Sequence, residues 1–197
     1  MLKRVARSLK AVVFGLVIAL LVASTSSANR DPKNMVLRLQ DMPTGFELTK
    51  SYYTSVTGAA KGSSVSVAQY KAWGYLTAYE SDFSKNGSLG DLFSGASQVT
   101  SSVSVYRTSA GAGKSLASSV AACNKAPFKE LSVGAKIGDE AHLCSATHKS
   151  GSITAQVYAV LWRRGQLKAA VLVAGVASGT SPDQAVRLAK VQDKRMR

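Results

Sequence analysis

Two β-rich runs near the C-terminal end, Ser152–Trp162 and Leu167–Gly175, are joined by the short segment Arg163-Arg-Gly-Gln166. This pattern predicts a β-hairpin. The second run, Leu167-Lys-Ala-Ala-Val-Leu-Val-Ala-Gly175, is apolar at both sets of alternate positions once Lys168 is passed. A strand that is apolar on both faces is covered on both faces and lies in the middle of its sheet. The rest of the chain has to supply its neighbours and its cover.

Neighbours are legible upstream. Phe46–Tyr53 reads as a first strand after the turn Asp41-Met-Pro-Thr-Gly45. Tyr75–Phe83 reads as a second, with Tyr75, Tyr79 and Phe83 on one face, and ends at the turn Lys85-Asn-Gly87. In the next strand Val99, Ser101, Val103 and Val105 alternate with Ser102 and Ser104, and a further strand runs over His142–Thr147. Cover comes from helices. Ser66 caps a short helix over Val67–Trp73 that Gly74 stops. A longer helix begins at Ser109, with Ala112, Leu116, Val120 and Cys123 as its buried stripe, and cannot continue past Pro127. The last helix opens on Ser181-Pro-Asp-Gln184, a capping box with proline at the first helical position. Ala185, Val186, Leu188, Ala189 and Gln192 form its inward stripe, and its terminal bases complement the helix dipole. Met35–Leu39 is a short apolar stretch, and Ser55–Ser64, rich in Gly, Ala and Ser, reads as a mobile loop. The fold class expected is α+β, an antiparallel sheet packed against helices in a single domain.

The N-terminal end is different in kind. Lys3, Arg4, Arg7 and Lys10 precede an unbroken apolar run, Ala11–Ala23, of thirteen residues. That is the length of a signal-peptide core and falls short of the roughly 20 residues that span a bilayer. Ser26 and Ala28 occupy the −3 and −1 positions of a cut after Ala28, so residues 1–28 read as a signal peptide, 29–34 as a flexible arm and 35–197 as the domain. The alternative is an uncleaved N-terminal anchor. The exported chain would carry 21 Lys and Arg against 11 Asp and Glu, an excess that favours anionic surfaces such as lipid headgroups or wall polymers. Outside the cytoplasm the two cysteines, Cys123 and Cys144, are expected to form one disulfide.

Several constellations resemble catalytic or ligand motifs and fall short of them. Thr108-Ser-Ala-Gly-Ala-Gly-Lys-Ser115 lacks the first glycine of a phosphate-binding loop, whose amides must curl around the phosphates. His142, Cys144 and His148 share one face of a strand, but a disulfide removes the thiolate that a metal would need. No G-x-S-x-G elbow occurs, and a serine triad would have to use His142 or His148. Nothing selects a carboxylate pair for glycoside hydrolysis, and basic residues interleaved with stacking aromatics are not evident, which argues against nucleic acid. No cofactor is implied. Asp139 and Glu140, acids in a basic chain, are expected to pair with nearby bases and fix the loop before their strand.

The segments Leu39–Phe46, Tyr75–Phe83, Val103-Ser-Val-Tyr-Arg107, Gly138-Asp-Glu-Ala141, Trp162-Arg-Arg-Gly165 and Ala189-Lys-Val-Gln192 together resemble small exported bacterial domains of unassigned function. These are similar to the extracellular sensor domain of PknH-type kinases and to LpqN-type lipoproteins, which have a PsbP-like fold. The resemblance implies an antiparallel sheet between helices and a groove for a ligand or partner. It departs from the kinase sensors in having one possible disulfide rather than two, and from the lipoproteins in lacking a lipidated cysteine.

The function expected is therefore non-enzymatic: an exported, monomeric binding or sensor-like domain for a hydrophobic or amphipathic molecule or an envelope protein. The candidate groove residues are Tyr75, Tyr79, Phe83, Tyr158 and Trp162. The candidate contacts to an anionic surface are Arg163, Arg164, Lys194 and Arg195. The alternatives are a secreted hydrolase of envelope material and a basic structural protein that binds anionic polymers.

Overall fold

The hairpin expected at Arg163–Gln166 forms, and its two strands lie in the middle of the sheet. The computed structural model describes residues 31–61, 63–85, 95–151 and 153–197, so the expected signal peptide and the turn after Lys85 lie outside the described residues. Strands β1 (Phe46–Thr54), β2 (Tyr75–Lys85), β3 (Ala96–Tyr106), β4 (Phe128–Leu131), β5 (Glu140–Ser150), β6 (Ile153–Arg164) and β7 (Leu167–Val176) form one sheet in the order β1-β2-β3-β7-β6-β5-β4. Every neighbouring pair is antiparallel. β7, the run apolar on both faces, is the fourth of the seven. Its inward residues Ala169, Val171 and Val173 pair with Trp162, Val160 and Tyr158 of β6 and with Val103, Ser101 and Val99 of β3. Helices α1 (Val56–Ala60), α2 (Val67–Ala72), α3 (Ser109–Cys123) and α4 (Pro182–Arg195) supply the cover, and the chain from Asp31 to Arg197 forms one compact unit. This is an α+β domain.

One face is closed by α4 and by the strap Met35–Leu37. The Ser181–Gln184 capping box is formed, and Ala185, Leu188, Ala189 and Gln192 are buried. Gln192 is enclosed without an orphaned polar atom. Its Oε1 accepts from the Ser101 hydroxyl at 2.7 Å, and its Nε2 donates to the Ser102 carbonyl at 3.0 Å. The Ser101 oxygen in turn accepts the Leu37 amide at 2.9 Å, which explains a serine in a row of buried valines. The strap is not a strand, because its backbone is held by this side chain and by Arg195. The Arg195 guanidinium forks onto Asp41 at 2.5 and 2.8 Å and donates to the Val36 carbonyl.

The other face carries α3 over the centre of the sheet and α1 and α2 towards the β1 side. Ala112, Leu116 and Cys123 of the expected stripe are buried, while Val120 is half-buried. Cys123 and Cys144 are joined by a disulfide that ties α3 to β5. Ser66 caps α2 and Gly74, at φ +74°, ends it. Gly111, a poor helix former in the first turn of α3, has a packing reason. A Cβ there would lie 1.9 Å from the Trp73 carbonyl oxygen.

Three segments differ from the sequence expectation. Asp31–Asn34, read as part of an arm, contains a 3-10 turn over Pro32–Asn34 capped by the Asp31 side chain. Within the expected loop 55–64, Val56–Ala60 form α1 with Ser55 as cap. β4 was not anticipated; it is four residues long and largely solvent-exposed, so it shows no apolar alternation.

Candidate functional site

The five aromatic residues proposed as one groove are divided by the sheet. Tyr79, Phe83, Tyr158 and Trp162 share the α4 face, whereas Tyr75 packs under α2 and α3 with Tyr70 and Tyr106, at ring separations of 5.4 and 5.6 Å. Trp162 is fully buried and Tyr158 packs against the same core. A sheet covered on both sides turns its large apolar side chains into core, and of the five Tyr79 and Phe83 also line an opening.

That opening is a groove of about 460 Å³ between the strap and the β1–β2 edge of the sheet. Tyr79 and Phe83 of β2 form its floor with Ser81, and Leu48 and Ser51 of β1 form one wall. Val36, Leu37 and Leu39 form the opposite wall, with Lys33, Asn34 and Arg38 at the rim. The strap positions that wall because Val36 and Leu37 are drawn into the core, leaving Leu39 outside at the far end. Leu39 and Leu48 are each 49% exposed, so each wall of the groove offers an open apolar side chain. A bulge between Leu48 and Lys50 sets the parity of β1, placing Leu48, Ser51 and Tyr53 opposite Phe83, Ser81 and Tyr79. Tyr53, beside the groove, stacks edge-on against Tyr79 at 4.8 Å and donates its hydroxyl to Asp31 at 2.7 Å. This bond, with the Lys33 amide, holds the Asp31 carboxyl below its ordinary range. None of the described residues that line the groove is acidic. Leu39 and Leu48 were not singled out from the sequence; the signal available was the apolar Phe46–Leu48 alternation, which stops at the bulge.

The bases expected to meet an anionic surface are mostly engaged within the fold. Arg163 pairs with Asp139 at 3.2 Å and Glu140 at 3.8 Å, and Arg164 forks onto Asp193 at 2.9 and 2.6 Å. Arg195 is held by Asp41, and Lys194 is exposed on the outer side of α4. Burial alone would raise the carboxyls of Asp41 and Asp193, but the guanidiniums of Arg195 and Arg164 outweigh it and hold both below the usual range. Asp139 also accepts the Gly165 amide at 2.7 Å, so Asp139, just before β5, and Glu140, its first residue, pair with a nearby base as expected and Asp139 ties the loop to the β6–β7 turn.

The remaining constellations resolve into structure. Thr108 caps α3, whose first turn is pressed against Trp73, and Lys114 faces solvent. The Cys144 sulfur is bonded to Cys123, so it is no thiolate ligand. His142 lies between two carboxylates, Nδ1 at 2.6 Å from Glu130 and Nε2 at 3.2 Å from Glu140. Burial disfavours its charge, but the bonds to Glu130 and Glu140 prevail and raise its pKa. Lys168 is the most unusual group. Its amine is enclosed beneath α3, donates to Ser119 Oγ at 2.6 Å and approaches Ser115 Oγ at 3.4 Å, and burial pushes it down to about 8.

With this geometry in view, likeness to known proteins is informative about architecture. No family model matches the chain, and no curated protein matches it in sequence. Among solved structures it is similar to the extracellular domain of PknH from Mycobacterium tuberculosis, with a TM-score of 0.51 and 12% identity. The match covers 86% of this chain and 98% of that one. The likeness is one of fold. At that identity it carries no residue roles across.

Proposed function

We propose that this chain is an exported, monomeric binding domain of the cell envelope that holds an amphipathic ligand in the groove between the strap and the β1–β2 edge. The observation that carries the reading is the pair of half-exposed leucines, Leu39 and Leu48, that line one groove together with Tyr79 and Phe83. Binding sites are typically concave and apolar with a few polar groups that set orientation. Here the apolar part suits a hydrocarbon chain, and Lys33 and Arg38 at the rim suit an anionic head. The disulfide and the N-terminal basic-then-apolar pattern support an extracytoplasmic address. The PsbP-like architecture implied by the sequence resemblance belongs to the same reading.

The test is native mass spectrometry of the protein purified gently from its own host, followed by denaturation and lipid analysis. An adduct released on denaturation, and absent from a Leu48→Asp variant that melts at the same temperature, is the expected result. Bare protein in both cases, with no binding of long-chain fatty acid in vitro, refutes the reading.

A further inference from the structure

A second opening lies on the same face of the sheet, on the other side of the Leu39–Met42 turn. It is a pocket of about 130 Å³, floored by Phe46, Val99, Val173 and Leu188 and entered past Lys85, Gln184 and Arg187. The floor residues are all at least nine-tenths buried, so the depth of the pocket is part of the core and does not depend on side chains that can swing away. An apolar cavity of ~150 Å³ is large enough to take benzene, so this pocket is of a size for a single ring or a short branched acyl group. It is too small for the chain that the first groove would take.

Charge fixes the other half of the ligand. The exposed Arg187 stands at the mouth, and none of the described residues lining it is acidic. Gln184 and Arg187 come from the first turns of α4, whose helix dipole adds positive potential at that end. An anionic group at the mouth would meet the Arg187 guanidinium, while a neutral or cationic group of the same shape would lose that attraction or be repelled. Arg187 is exposed on α4, so no internal rearrangement is needed for it to turn towards a bound carboxylate.

We infer that this pocket is a binding site for small aromatic or branched carboxylates, with the apolar end seated on Phe46, Val99, Val173 and Leu188 and the carboxylate held at Arg187. The site is separate from the groove lined by Leu39 and Leu48 and stands whether or not that groove binds a ligand. It makes this domain a receptor for a low-molecular-weight acid.

The probe is 4-ethylbenzoate, compared with 4-ethylbenzyl alcohol and 4-ethylbenzylamine by calorimetry and saturation-transfer NMR on the purified protein. The benzoate is expected to bind with a Kd of about 1 mM or tighter, roughly tenfold or more tighter than the alcohol, which is one charge-assisted contact's worth. Arg187→Glu should weaken it by about tenfold or more, being an exposed change that leaves the fold intact. Ala96→Leu, which places a larger side chain in the lining, should abolish binding, with retention of the melting temperature checked in the same sample. Leu48→Asp, in the other groove, should leave benzoate binding unchanged. No benzoate binding, equal binding of acid and alcohol, insensitivity to Arg187→Glu, or loss on Leu48→Asp alone would each overturn the assignment.

Discussion

Replacing Lys168 with methionine removes a charge that the fold has to enclose. Lys168 lies on β7 between Ser104 of β3 and Arg163 of β6, and its amine reaches only the hydroxyls of Ser119 and Ser115 among its described hydrogen-bond partners. A hydroxyl compensates an ammonium less well than a carboxylate does, and burial lowers its pKa from the ordinary 10.5 to about 8. Because the folded value lies below the unfolded one, the unfolded chain holds the proton more tightly. Folding is penalised in full below about pH 8, and the penalty disappears as pH rises from there through 10.5. At ~1.36 kcal/mol per unit, the shift corresponds to about 3 kcal/mol. Part of the side chain still reaches water, which reduces this to roughly 2 kcal/mol. Lys168→Met keeps the stem's volume, and Ser119 keeps its bond to the Ser115 carbonyl. The variant should therefore be more stable than the parent by roughly 2 kcal/mol at pH 7, and by little at pH 10.5. Urea unfolding of both proteins at pH 7, 9 and 10.5 measures this. Tyrosine ionisation in the unfolded chain will lower both curves at high pH, since Tyr52 and Tyr106 are raised to about 12 in the fold, but it cancels in the difference. A stability difference that does not change with pH, or a variant less stable at pH 7, would refute the account of Lys168 as an inadequately compensated charge.

Three further outcomes are expected. Replacing both Cys123 and Cys144 by serine, which opens a link of sequence separation 21, should lower stability by about 3 kcal/mol on the chain-entropy argument; a urea midpoint that does not move would contradict it. His142, raised by Glu130 and Glu140, should titrate above 6.5 by NMR and fall towards that value in Glu130→Gln. The stability it contributes is present below 6.5 and lost as pH rises through its folded pKa, so a parent whose His142 titrates below 6.5 excludes the clamp. Gly111→Ala should destabilise by roughly 2 kcal/mol through overpacking against Trp73, reversing the ~1 kcal/mol gain that glycine-to-alanine brings in an ordinary helix; a rise in the melting temperature would show that α3 can move away.

What was legible from the sequence was local and periodic. The β6–β7 hairpin, the central place of β7, the stripe of α3 and the capping box of α4 are each written in residues within a few positions of one another. What was not legible depends on where a strand changes parity. Tyr75, Tyr79 and Phe83 share a face by counting in twos, but a register shift between Tyr75 and Thr77 sends Tyr75 to the opposite side of the sheet and dissolves the expected aromatic groove. A second shift, between Leu48 and Lys50, decides which side chains of β1 line the opening that does exist. Bulges of this kind insert one residue and flip everything beyond it, and no composition signal marks either one here. Long-range pairing was equally hidden. Arg195 looks like a free terminal base until the fold brings it to Asp41, 154 residues away, and Arg164 looks like a solvated turn residue until α4 presents Asp193. One segment borders both openings: the strap is pinned by Arg195 and Ser101, its residues Val36–Leu39 line the leucine groove, and Pro43, Thr44 and Phe46 just beyond it line the pocket at Arg187. The two openings are therefore products of how one irregular segment crosses a regular sheet. Arg195→Met should test this directly, by loosening the strap and weakening ligands at both sites together, whereas Arg187→Glu should affect only its own.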